Sequence, residues 1–115
     1  MSLLANVLIG LVALLHVYFL VLEMFLWTRP LGMKTFRNTP QKAETTRVLA
    51  ANQGLYNGFL AAGLFYAIAT GSREFALFFL ACVIAAALYG AYSVNKRIFV
   101  VQGVPALAAL AAVLL

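Results

Sequence analysis

The chain has 115 residues, of which 65% are hydrophobic and only 10% are charged, and its mean hydropathy is +1.00. Soluble domains contain about 45–50% apolar and about 25% charged residues. The composition therefore excludes a water-soluble globule, and it also excludes a disordered chain, which needs the opposite balance. The net charge is +5, but the basic residues lie between apolar segments. Their placement indicates membrane topology and not nucleic-acid binding.

Four apolar segments follow one another along the chain. A bilayer core about 30 Å thick needs about 20 apolar residues of helix. Segments of about this length cover residues 3–27, 48–69, 75–94 and 98–115. We therefore predict an all-α fold, a four-helix transmembrane bundle that forms one integral membrane domain over residues 1–115.

The loops between the segments predict the orientation. The first and third loops together carry seven of the eight Lys and Arg residues, whereas the second loop carries only Arg73. Under the positive-inside rule the two basic loops are cytoplasmic, so both termini face outward. The basic cytoplasmic loop between helices 1 and 2 is the largest polar segment of the chain.

Prolines predict two local features of the helices. Thr39 followed by Pro40 is typical of a helix start, with Thr39 as the N-cap. We expect the second helix to begin there and to run on into the membrane. In the fourth span, Pro105 with Gly103 predicts a loosened or kinked helix just beyond Gln102.

Polar residues inside the spans are the candidates for function, because ionisable groups there cost about 2.5–3.5 kcal/mol. Counting inward at about 1.5 Å per residue predicts two polar layers in the cytoplasmic half. The first layer contains Glu23, Asn52, Gln53, Tyr89 and Gln102. The second, deeper layer contains His16, Tyr56 and Asn57. The layers form one of two arrangements. Either they line a polar pocket that opens to the cytoplasm or to the inner leaflet, or their side chains hydrogen-bond to one another as a purely structural network.

Glu23 and His16 are the candidate catalytic residues, because they are ionisable and, seven residues apart, share one helix face. An alternative for His16 is a structural hydrogen bond to Asn57 or to a backbone carbonyl. The candidate ligand-binding residues are Asn52, Gln53, Tyr56, Asn57, Tyr89, Gln102 and Trp27. One His, one Cys and no Asp leave the usual zinc ligand sets incomplete, so we predict no metal site and no cofactor.

Gly54 and Gly58 form a face of small residues that lets another helix approach closely. The approach is either inside the bundle or across a homo-oligomer. The other partners that the sequence predicts are membrane lipids and a small lipophilic ligand.

The residues also resemble a known family. The resemblance is carried by residues 19–28, 48–58, 88–90 and 101–105, and its most specific segment runs from Asn52 to Asn57. Over essentially its whole length the chain resembles a family of small bacterial membrane proteins catalogued as domain of unknown function 1304. The resemblance implies a four-helix, multi-pass protein of the bacterial inner (plasma) membrane, and it implies no established activity.

Three functions remain open at this point. The first is a site for a small lipophilic molecule or lipid, with isomerase-like acid–base chemistry at Glu23 as its enzymatic form. The second is a structural or accessory membrane subunit, in which the polar layers lock the helices together. The third is a small proton-coupled transporter of the multidrug type, which also has four spans and a Glu in the first.

Overall fold

The computed structural model describes all residues from 1 to 115, and every regular element in it is helical. The α-helices are α1 (Leu3–Met24), α2 (Pro30–Phe36), α3 (Pro40–Thr45), α4 (Arg47–Thr70), α5 (Arg73–Ser93) and α6 (Val104–Leu114). A π-helix, Phe99–Gly103, leads directly into α6. The predicted all-α class is confirmed.

Two of these helices, α1 and α5, are long and apolar enough to cross a membrane. Helix α4 has 24 residues, but Asn52, Gln53 and Asn57 lower the hydropathy of its first half. The fourth predicted span consists of the π-helix and the shorter helix α6. Of the four predicted spans, the first and the third thus contain a helix with the length and composition that are needed to cross a membrane.

The chain divides into two compact units, and the boundaries between them fall within helices α1 and α4. The first unit comprises Met1–Leu14 and Leu60–Leu115, and the second comprises Leu15–Phe59. The core of the first unit is built mostly from small side chains, which allow helices to pack closely. Its fully buried members include Ala5, Ile9, Val12, Ala13, Leu64, Ala67, Ala76, Leu80, Val83, Ala106 and Ala109.

The basic segment of the second unit is more ordered than a loop. It forms α2 and α3, each with a proline in its first turn. The predicted helix start is confirmed, because the Thr39 side chain accepts a hydrogen bond from the Lys42 N–H. The expected continuation into the next helix is wrong. Helix α3 ends at Thr45, and Thr46, with φ −102° and ψ 7°, separates it from α4.

The fourth predicted span is irregular, but the irregularity begins earlier than the predicted position just beyond Gln102: the π-helix runs from Phe99 to Gly103 and contains Gln102. Pro105 has no N–H with which to donate to the carbonyl four residues earlier. The preceding residue, Val104, donates its N–H to the Phe99 carbonyl, five residues back, and not to the carbonyl four residues back, which widens the turn that contains Gln102. Gly103 is buried in this turn.

Candidate functional site

The centre of the candidate site is a pair of buried polar side chains in the second unit. Glu23 is the second-last residue of α1, and its side chain is buried, with 8% of the residue exposed. Asn57 lies in α4 and is 7% exposed. The Asn57 Nδ2 donates a hydrogen bond of 2.5 Å to the Glu23 Oε1. The amide both donates and accepts hydrogen bonds, whereas the carboxyl group accepts when ionised and donates only when protonated. The two groups meet among apolar side chains of α1 and α4.

Gly54 sets how closely these two helices approach. A Cβ added at Gly54 would lie 2.7 Å from the Met24 Cγ, 3.1 Å from the Glu23 Cβ and 3.2 Å from the Leu20 carbonyl oxygen. Gly58 faces the same helix, since its Cβ would lie 2.7 Å from the Leu20 Cδ1. Gly54, Asn57 and Gly58 share one helix face, so the glycines bring the amide within reach of the carboxyl group.

The prediction that this glycine face admits another helix is confirmed within the chain. Leu20, Glu23 and Met24 of α1 occupy it. The face is thus part of the packing that holds the Glu23–Asn57 pair together.

His16, the other candidate catalytic residue, is fully buried in the second unit. Its ring meets the ring of Phe19 edge-on, with centroids 5.4 Å apart and planes at 75°. His16 and Glu23 are two helical turns apart, a separation of about 10 Å along the helix axis. The two ionisable groups share a face of α1, but the helix itself holds them too far apart for direct proton exchange.

Three other predicted ligand-binding residues of the second unit are exposed on the surface of α4: Asn52, Gln53 and Tyr56. The Asn52 Nδ2 donates to the Val48 carbonyl of its own helix, at 2.9 Å. Tyr56 is 59% exposed, and its ring is tilted against Phe59 at 6.0 Å. The structure does not bring these side chains into the buried Glu23–Asn57 pair.

Trp27 lies outside helix α1, in the turn that follows it. Its Nε1–H donates to the Thr46 Oγ1 at 3.1 Å, and its ring packs on Phe36 at 4.8 Å. Trp27 therefore connects the turn after α1 to α2 and to the junction between α3 and α4. Sequence reasoning missed Thr46, because no hydrophobic pattern or spacing links it to Trp27.

Tyr89 and Gln102 belong to the first unit. Tyr89 is 71% exposed, and its ring lies 6.5 Å from that of Tyr92. Gln102 is half-buried within the π-helix. The chain contains no group of three or more His, Cys, Asp or Glu side chains that could hold a metal ion.

Comparisons with known proteins identify the family. Residues 10–114 match the model of the family described as protein of unknown function (DUF1304). The chain is 36% identical over 114 residues to the uncharacterized protein YpaA of Lactococcus lactis subsp. lactis (strain IL1403), and the match covers 96% of each protein. No solved structure matches the chain. The family match spans every candidate site residue from His16 to Gln102, and the chain belongs to the DUF1304 family.

Proposed function

We propose that the chain is an integral protein of the bacterial inner membrane, which crosses the bilayer four times with both termini outside. Helices α1 and α5 support this proposal, because they are long and apolar enough to span a bilayer. Only 28% and 22% of their most apolar stretches are buried within the chain. Lipid would cover the large apolar side chains that remain exposed, such as Leu11, Leu14 and Phe78.

In this membrane setting, the Glu23–Asn57 pair is the centre of a site that binds a small lipophilic molecule in the cytoplasmic half of the bundle. The observation that carries the proposal is the burial of a carboxyl group within an apolar helix. Ionisable side chains within membrane spans are rare and are candidates for function by default. We therefore assign Glu23 a function in ligand binding.

The chemistry of the pair defines the ligand class. A carboxylate accepts hydrogen bonds from a hydroxyl or an ammonium group, and the Asn57 side chain carries both an amide donor and a carbonyl acceptor. The surrounding helices are apolar. The pair therefore suits a lipophilic molecule with one small polar end. The same carboxyl group is capable of acid–base catalysis, which makes isomerase-like proton transfer on such a molecule the enzymatic form of the proposal.

Analysis of co-purifying small molecules tests this proposal, because it detects a bound species of any chemical identity. Wild type, Glu23→Gln and Glu44→Gln would be purified in the same mild detergent, extracted with organic solvent and compared by mass spectrometry. Glu44 is the matched control, because it is exposed and pairs with Arg47. We expect a species that accompanies wild type and Glu44→Gln but not Glu23→Gln. The same set of molecules in all three samples would contradict the proposal.

A structural role is the second candidate, and the packing at Gly54 favours it. The carboxyl group of Glu23 already has a partner in Asn57, and Gly54 lies directly against the Glu23 Cβ. In an accessory subunit, the pair would serve only to lock α1 to α4. Glu23→Gln, which preserves shape and hydrogen bonding, would then match wild type in stability and in its bound small molecules. Loss of a bound species with unchanged stability separates the ligand site from the lock.

A further inference from the structure

A second site lies in the first unit, where α4 ends and α5 begins. A groove of about 930 Å³ is lined there by residues of both helices, including Gly63, Tyr66, Glu74, Phe75, Phe78 and Phe79. Its volume falls in the range of about 300–1,000 Å³ that is typical of small-ligand sites. None of these residues belongs to the Glu23–Asn57 pair.

The groove owes its shape to one glycine and two pairs of aromatic rings. The Phe79 ring lies directly over Gly63, where any side chain would collide with it. Phe79 also meets Phe78 edge-on, at 5.5 Å and 87°. Tyr66 and Phe75 pack at 5.2 Å with their planes at 45°. The result is an aromatic trough that opens at the surface.

Glu74 places a negative charge in this trough. It lies in the first turn of α5, immediately after Arg73, and both side chains are exposed. The one salt bridge of the chain joins Arg47 to Glu44, so neither Glu74 nor Arg73 has an ion-pair partner within the protein. A carboxylate beside aromatic rings is a typical environment for an ammonium group.

We propose that this groove binds a phospholipid with an amine-bearing, zwitterionic headgroup. The ammonium group contacts Glu74, and an acyl chain lies along the aromatic rings. Arg73, which precedes Glu74 and lies outside the lining of the groove, is exposed and available to the phosphate. The inference rests on the proposed membrane embedding, but it is independent of the Glu23 site. The helix ends at Thr70 and Arg73 support it, because the ends of spanning helices lie at the depth of the headgroups.

The charge pattern selects this lipid class over others. The two side chains match the two charges of a zwitterionic headgroup, one for one. An anionic headgroup such as glycerol phosphate offers Arg73 the same phosphate, but it has no ammonium group to pair with Glu74 or to offset the repulsion between the phosphate and this carboxylate. A preference for zwitterionic over anionic lipid is therefore the signature of the site.

Native mass spectrometry with defined lipids tests the inference. Detergent-purified protein would be titrated with phosphatidylethanolamine and with phosphatidylglycerol of identical acyl chains. We expect wild type to favour phosphatidylethanolamine by about two- to fivefold, the range that one exposed ion pair supplies. Glu74→Gln should remove this preference, and Glu44→Gln should keep it. Equal binding of the two lipids by wild type, or an unchanged preference in Glu74→Gln, would overturn the inference.

A second pair of variants tests the groove itself. Ala62 lines the groove and is exposed, so Ala62→Phe should fill it and weaken binding of both lipids. Ala81, an exposed alanine of α5 outside the groove, provides the control variant Ala81→Phe. If the two variants weaken lipid binding equally, the lipid assignment is overturned. It is also overturned if wild type forms a dimer that Ala62→Phe disrupts, because the groove would then be an interface between two copies of the chain. Whether detergent is needed to extract the protein tests membrane embedding separately. If the protein needs detergent but wild type shows no lipid preference, this inference is overturned and the proposed membrane embedding is not.

Discussion

Asn57 donates a hydrogen bond to Glu23, a residue 34 positions earlier in the chain, and both side chains are buried. The bond joins the end of α1 to the first half of α4 within the second unit. Glycine at position 54 permits the approach, since it lies against the backbone and side chains of Leu20, Glu23 and Met24. The candidate site is thus a product of close helix packing as much as of its two polar residues.

Replacement of the amide tests how much this bond stabilises the protein. Asn57→Leu leaves the Glu23 carboxyl group without its donor, so we expect a loss of about 1–2 kcal/mol in the free energy of unfolding. Asn52→Leu is the matched control, because Asn52 is exposed and bonds to its own helix. It should change stability by less than about 0.5 kcal/mol. Reversible unfolding in mixed micelles measures both, and equal losses would contradict the assignment.

A Cβ at Gly54 should force α1 and α4 apart. The flexible Met24 side chain can move, but the Leu20 carbonyl oxygen, 3.2 Å from the new atom, belongs to the backbone. We expect Gly54→Ala to lose about 1–2 kcal/mol, even after the gain of about 1 kcal/mol in helix propensity.

Gly10→Ala is the control for that variant. Its Cβ would meet only the Ile68 side chain, at an ordinary 3.8 Å, so this variant should be neutral or more stable. Thermal unfolding in one detergent compares the two glycines. A Gly54→Ala protein as stable as Gly10→Ala would show that the close approach is not required.

The contact between Trp27 and Thr46 should stabilise the segment that contains α2 and α3. Trp27→Phe keeps an aromatic ring against Phe36 but removes the N–H donor, and Thr46→Val removes the acceptor. A double-mutant cycle should give a coupling energy of about 1 kcal/mol. Additive effects of the two changes would mean that the hydrogen bond contributes nothing to stability.

Reporter fusions test the proposed orientation. Alkaline phosphatase, which is active only outside the cytoplasm, should be active when fused after Leu115. Green fluorescent protein, which fluoresces only in the cytoplasm, should be dark at the same position. Both reporters should give the reverse result when inserted after Asn38, in the basic segment between α2 and α3. Any other pattern would contradict outward-facing termini.

Hydropathy was sufficient to predict the long helices α1, α4 and α5, because runs of apolar residues leave few alternatives to helix. It gave no indication of α2, which lies in the basic segment. The break at Thr46 could not be predicted in this way. The Thr46 hydroxyl accepts from the Trp27 Nε1–H, which is a tertiary contact that hydropathy does not contain. It also donates to the Lys42 carbonyl four residues earlier, and such local bonds weaken or bend a helix. By contrast, an irregular fourth span was predictable from Pro105, since a missing N–H is a local property of the chain.

The candidate site shows the limits of depth counting. Counting at a constant rise per residue assumes one helix through the whole first span, residues 3–27, whereas α1 ends at Met24. The count also ignored rotation about the helix axis. Tyr56 and Asn57 are neighbours in the sequence and lie about 100° apart around the helix, so only Asn57 faces α1. Depth and residue type identified Glu23 and Asn57 as candidates but did not predict that they form a pair.

Crystals grown from a lipidic phase would show directly whether Glu23 and Asn57 bind a ligand. We expect electron density that belongs to no protein atom, within hydrogen-bonding distance of the Glu23 carboxyl group or the Asn57 amide. Crystals of Glu23→Gln, grown in the same way, should lack that density. Side chains of Glu23 and Asn57 surrounded entirely by protein atoms, with no space beside them, would contradict a ligand site and leave the pair as a lock between helices.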